Sequence, residues 1–81
     1  MKKVLKKKVL QYTAVFEPAQ KGGYTASVPS LPGCYTQGDT FEETLENIKE
    51  ATSLYLEVVQ EMKEEFPKEE GVIVAPIKVK V

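Results

Sequence analysis

Two hydrophobic periods divide this chain. From residue 8 to 16 the run K-V-L-Q-Y-T-A-V-F alternates. Leu10, Tyr12, Ala14 and Phe16 fall on one face and Val9, Gln11, Thr13 and Val15 on the other, the pattern of a half-buried strand. Glu17-Pro18 predicts its end. Gly22-Gly23, free to take positive φ, predicts a tight turn into an antiparallel second strand at 24–28, where Tyr24, Ala26 and Val28 alternate with Thr25 and Ser27. Pro29 and Pro32 stop that strand and stiffen a corner. Gly33 then releases the chain into a short edge strand at 34–37. After Gly38-Asp39 the period lengthens. Phe41, Leu45, Ile48, Thr52, Tyr55, Val59, Met62 and Phe66 follow steps of four and three, one buried stripe along a helix expected over 40–66. Thr40 and Glu43 form a capping box at its start, and Pro67 stops it at or before Phe66. Gly71 opens a last segment in which Ile77, Val79 and Val81 alternate with Lys78 and Lys80. That pattern predicts a final strand over 72–81, with Pro76 as a break or edge marker.

The order is β-β-β-α-β, an α+β fold with one long helix packed on one face of the sheet. A helix crossing that face delivers the last strand beside the first and parallel to it. The expected organisation is a single domain: a basic arm at 1–7, a three-stranded meander at 8–38, a helix at 40–66 and a C-terminal strand at 72–81. One helix covers only one face. The other carries Val9 and Val15, joined by parts of 72–75, and wants a cover. At 81 residues the chain also buries a modest fraction of its surface. Both points predict a homo-oligomer, a dimer or tetramer, or a protein partner.

Composition narrows the function classes. With 42% hydrophobic residues the chain is too apolar to be disordered, yet it has no run long enough to span a membrane. The basic start leads into no continuous apolar core, so it is not a secretory signal. The single Cys34 excludes an internal disulfide and fits a reducing cytoplasm, the expected location. Net charge is −1 but unevenly spread. Lys2, Lys3, Lys6, Lys7 and Lys8 crowd the start, whereas residues 41–70 hold ten glutamates against Lys49, Lys63 and Lys68. The lysine arm could touch nucleic-acid phosphates, but without an arginine or a base-reading helix such binding would be weakly specific and salt-sensitive. A nucleic-acid-binding regulator is the alternative reading that rests on it. The acidic helix face suits a strongly basic partner.

Catalytic chemistry finds few supports. The chain has no histidine, so no His-based triad or conventional zinc site can be built. Cys34 has no base to activate it and reads as a small hydrophobe. Glu17 and Asp39 are the acids of the sheet half, and each flanks a turn instead of converging on a metal. Glycine spacings of phosphate-binding loops are absent. The expectation is a binding protein, not an enzyme, with no cofactor and no metal. A degenerate metal-dependent nuclease would have to use Glu17 or Asp39.

The segment at 22–51, G-G-Y-T-A-S-V-P-S-L-P-G-C-Y-T-Q-G-D-T-F-E-E-T-L-E-N-I-K-E-A, with the lead-in Y-T-A-V-F-E-P at 12–18, resembles the core signature of the HicB family of antitoxins. P-x-L-P-G alone would be weak; here it sits between G-G-Y and G-D-T-x-E-E-x-L. The resemblance implies a partial ribonuclease-H-like sheet without nuclease activity. It also implies a partner, a small HicA-type toxin that cleaves RNA, neutralised by direct binding that masks its catalytic surface. Many such antitoxins continue into a helix-turn-helix or ribbon-helix-helix domain that binds the operator. Here 72–81 reads as a strand, so DNA binding is not expected; an orphan binding module without a toxin is a further alternative. Pro29, Leu31, Pro32, Gly33 and Cys34 match the family's signature loop, and Asp39, Thr40, Glu43 and Leu45 its helix entry, where they define the fold. The residues expected to contact a partner are Ser30, Leu31, Pro32, Gly33, Cys34 and Tyr35.

Overall fold

A computed structural model describes residues 9–81. The lysine arm at 1–8 lies outside the described residues. Three strands, β1 (Val15–Pro18), β2 (Tyr24–Ser27) and β3 (Tyr35–Gly38), precede one helix, α1 (Phe41–Glu61). The strands form an antiparallel meander in the order β1-β2-β3, with Phe16 opposite Ala26 and Ala26 opposite Thr36.

The first hairpin closes on a turn in which the Gly22 amide donates to the Ala19 carbonyl, while the Ala19 amide donates to Gly23. Gly23 sits at φ 78°, and a side chain there would drive its Cβ into the Gly38 backbone. The turn therefore requires glycine on both counts. It also carries the ladder past Glu17 to Pro18, beyond the end expected from the sequence. Residues 9–14 lie outside the ladder because their natural partner, β2, stops at Ser27, two residues before Pro29, which has no amide to offer at the next hydrogen-bonding position.

Phe16, Ala26, Val28 and Cys34 share the face that α1 covers, and Leu31 and Ile48 complete the buried cluster. The helix lies on β2 and β3. Its close approach to β3 depends on Gly38, where a Cβ would meet Thr44 at 2.6 Å. The start is capped as expected: Thr40 Oγ1 accepts from the Glu43 amide at 3.0 Å. The Glu43 carboxylate reaches the Asp39 amide, one residue before the cap. Such a box stabilises a helix by about 1 kcal/mol.

The helix ends five residues before the expected stop. Lys63 takes φ 58°, its amide donates to the Gln60 carbonyl, and the Glu64 amide donates to Val59. These two bonds are a Schellman termination with lysine in the left-handed position that glycine usually fills. Met62 and Phe66 consequently leave the helical stripe. Thr44, fully buried, and the half-buried Ala51 and Leu56 widen it instead.

The final strand expected over 72–81 does not form in the single chain; the described elements end with α1. Pairing, not propensity, is what this segment lacks. The uncovered face of the sheet also differs from expectation. It presents Val15, Glu17, Thr25, Ser27, Tyr35 and Gln37, a largely polar set, so it needs a cover less than a wholly apolar face would.

Candidate functional site

The corner between β2 and β3 is built from two interlocked turns. The Leu31 amide donates to the Val28 carbonyl and the Cys34 amide to Leu31, both at 2.9 Å, while Val28 donates across to Cys34 at 3.0 Å. Pro32 followed by Gly33 at φ 87° fits the second turn, which needs a pre-bent residue and then a positive φ. These three backbone bonds are local, yet what immobilises the corner is burial. Leu31 is 0% exposed, and Cys34 lies beneath the helix with its Sγ 3.6 Å from Thr52 Oγ1.

That arrangement divides the six residues singled out from the sequence. Leu31 and Cys34 point into the core. Ser30 is half-buried, and Pro32, Gly33 and Tyr35 face solvent, Tyr35 at 73% exposure. The accessible part of this region is thus the apex Pro32-Gly33 together with Tyr35 at the sheet edge. Tyr35 continues into the open sheet face, where a shallow depression of about 410 Å³ is lined by Glu17, Thr25, Ser27, Tyr35 and Gln37. The outer edge of β3 is partly closed, because Asn47 Nδ2 donates to the Gln37 carbonyl at 2.9 Å.

On the opposite side of the molecule, Glu46, Glu50, Glu57 and Glu61 line the solvent face of α1. Lys49 is the one basic residue in the helix and pairs with Glu46 at 3.3 Å. An exposed pair of this kind contributes little to folding. The face is therefore a strip of negative potential with no structural duty of its own.

A second polar cluster was not legible as a site. Glu69 accepts from the Thr13 amide at 3.0 Å and from Ser30 Oγ at 3.2 Å through one oxygen, and from the Gly71 amide at 2.9 Å through the other. Beside it the Tyr12 hydroxyl donates to the Pro67 carbonyl. The Thr13 donor foremost, with Gly71 and Ser30 behind it, holds the Glu69 carboxyl below the usual carboxylate range. Partial burial, reinforced by the Glu69 charge, pushes the Tyr12 phenol up. In sequence Glu69 is one of many glutamates in a charged run, and nothing distinguishes it. Its role is to strap the segment after α1 onto the β1 lead-in and the Ser30 corner.

Chemically, these surfaces can recognise but hold no assembled reacting pair. The chain has no histidine, and the one thiol is sealed in the core. Among the described residues no three acidic, histidine or cysteine side chains converge as metal ligands, and no helix is long and apolar enough to cross a membrane.

Comparison with known proteins adds the remaining information. The family model described as HicB-like antitoxin of bacterial toxin-antitoxin system matches residues 12–77. A UPF0150 protein of Synechocystis sp. is 44% identical over 78 residues, covering 96% of this chain and 98% of that protein. A UPF0150 protein of Thermoplasma acidophilum is 42% identical over 60 residues, 74% of this chain and 87% of its own length. Antitoxin HicB 1 of Photorhabdus laumondii is 40% identical over 60 residues, which is 74% of this chain but 39% of that longer protein.

Proposed function

Because the chain belongs to the HicB-like antitoxin family, matched over residues 12–77, we propose that it neutralises a small HicA-like, mRNA-cleaving toxin by stoichiometric binding. The observation that carries the reading is the acidic strip on α1. Glu46 and Glu50, and two turns further on Glu57 and Glu61, lie along one exposed face that the fold itself does not use. A protein that grips RNA is basic where it touches phosphate. An acidic helix covers such a surface and competes with its substrate by charge alone. The exposed residues Pro32, Gly33 and Tyr35 supply shape beside this charge, since a rigid corner loses little entropy on docking. Neutralisation is occlusion, with no bond made or broken.

The test is co-expression with a small HicA-type toxin. Growth should be rescued, and the two proteins should co-purify at low salt and separate as salt rises. A double charge reversal, Glu50→Lys with Glu57→Lys, should abolish rescue while leaving the helical signal of the purified chain unchanged. Rescue that survives this reversal would remove the acidic face from the mechanism. Failure of the native chain to bind or rescue would overturn the proposal.

A further inference from the structure

After Gly71, at φ 84°, the chain leaves the body and residues 72–81 belong to no element. Ile73 is 95% and Ile77 81% exposed, and Val74, Val79 and Val81 are exposed as well. Their order is not that of a solvated tail. Odd positions read Ile73, Ala75, Ile77, Val79 and Val81, an unbroken apolar face; even positions read Val72, Val74, Pro76, Lys78 and Lys80. This is the sequence pattern of a strand with one wholly hydrophobic side, left here without a neighbour. The radius of gyration, 16.1 Å, reflects the projection; a compact chain of this length would measure about 12 Å.

The molecule also carries an edge that fits such a strand. Ala19 and Gly23 exchange a backbone bond, and so do Val28 and Cys34. Alternation along an antiparallel ladder then directs the backbone N–H and C=O of Phe16 outward, away from β2. Because α1 lies on β2 and β3, the residues on the helix side near this edge are only partly covered: Tyr12, Ala14, Phe16, Leu45 and Leu56. Residues 64–69 already run alongside residues 10–13, in parallel, held by Tyr12 to Pro67 and Thr13 to Glu69. The contact stops at Gly71. A strand continuing on that track beside β1 would place its apolar odd face over the half-covered residues. Lys78 and Lys80 would then lie on the open side, where Glu17 stands.

We propose that residues 72–81 of one copy add as a strand to the β1 edge of a second copy, reciprocally, so that the chain pairs with itself by exchanging tails. The turn at Gly71 sends the tail away from its own β1, leaving donor strand and vacant edge exposed on one molecule. Two copies related by a two-fold axis satisfy both at once, with Gly71 as the hinge. The charge match between Lys78 or Lys80 and Glu17 favours a copy of this chain over an unrelated apolar strand. Exchange also covers a four-residue edge strand that would otherwise be open to indiscriminate pairing.

The experiment uses the full chain alone, so it is independent of any toxin and its failure is distinguishable from failure of neutralisation. Light scattering should give twice the 9.1 kDa chain mass, falling to the single-chain mass in an Ile77→Asp, Val79→Asp variant whose helical signal is retained. In a second measurement, copies carrying Glu17→Cys are mixed with copies carrying Lys78→Cys and treated with a short bismaleimide, Cys34 being buried. Cross-linking between the two kinds of copy is expected. A monomeric native chain, a dimer indifferent to the two aspartates, or no cross-link between the two kinds of copy would each overturn the proposal.

Discussion

The corner at 28–34 and the tail at 72–81 are both irregular backbone with proline and apolar side chains, and they could hardly differ more in order. The corner is locked by three backbone bonds and by Leu31, which is inaccessible to water. The tail has more apolar residues and a cleaner alternation but nothing to press them against. Irregular backbone becomes rigid where a side chain finds the core, and regular pattern stays unformed where no edge is within reach. Hydrophobicity supplies the drive, and topology decides whether it is used.

The sharpest way to break this comparison is Leu31→Ala. Emptying a fully buried leucine site should cost about 2–5 kcal/mol, read as a lowered urea midpoint with an unchanged slope. A loss below about 1 kcal/mol would mean that the corner is held by its turns and not by its anchor. Next comes Gly33→Ala. Its Cβ would meet nothing within 4 Å, so only the positive φ is penalised. The expected loss is about 1 kcal/mol, measured in the same way; a larger effect would indicate a contact that the free corner does not show.

Ile77→Ala should be smaller still. In dilute, monomeric protein the exposed tail side chain contributes nothing to the core, and the urea midpoint should move by less than about 0.5 kcal/mol equivalent. A shift as large as that of Gly33→Ala would place the tail against the body.

The gentlest probe is pH, acting on Glu69 at the junction of the two regions. Its folded carboxyl titrates below its unfolded value. The strap therefore contributes stability at neutral pH, above the unfolded value, and loses it as pH falls through the lower folded value. Amide signals of Thr13 and Gly71 should shift with a midpoint below that of an ordinary glutamate, while tail signals beyond Lys78 stay still. A midpoint in the ordinary range would dissolve the strap.

How far the chain could be read from residues alone follows the same division. The turn at Gly22-Gly23, strands β2 and β3, the capping box and the α+β order were legible because local chemistry dictates them: glycine at positive φ, a side chain accepting an amide, alternation against one face. The helix end was not. Pro67 is a stronger stop signal than Lys63, and only coordinates reveal a lysine adopting the left-handed cap two residues after the last helical one. The fourth strand, which the single chain does not form, depends on more than its own residues. Strand propensity is local, whereas pairing is a property of two segments. The six residues of the expected contact region lie in and beside one corner, but alternation was not followed through it. Leu31 and Cys34 therefore fell among the expected contacts although the double turn points them inward. The Glu69 strap lay beyond reach, since it joins residues 56 apart by a carboxylate that looks like its neighbours.

The position of Cys34 has one further consequence. The only thiol in the chain rests under α1, so a bulky thiol reagent can reach it only when the helix lifts from the sheet. Its rate of alkylation would thus act as a clock for breathing of the whole body, readable in crude mixtures and without any added label. A bound protein that clamps α1 should slow that clock.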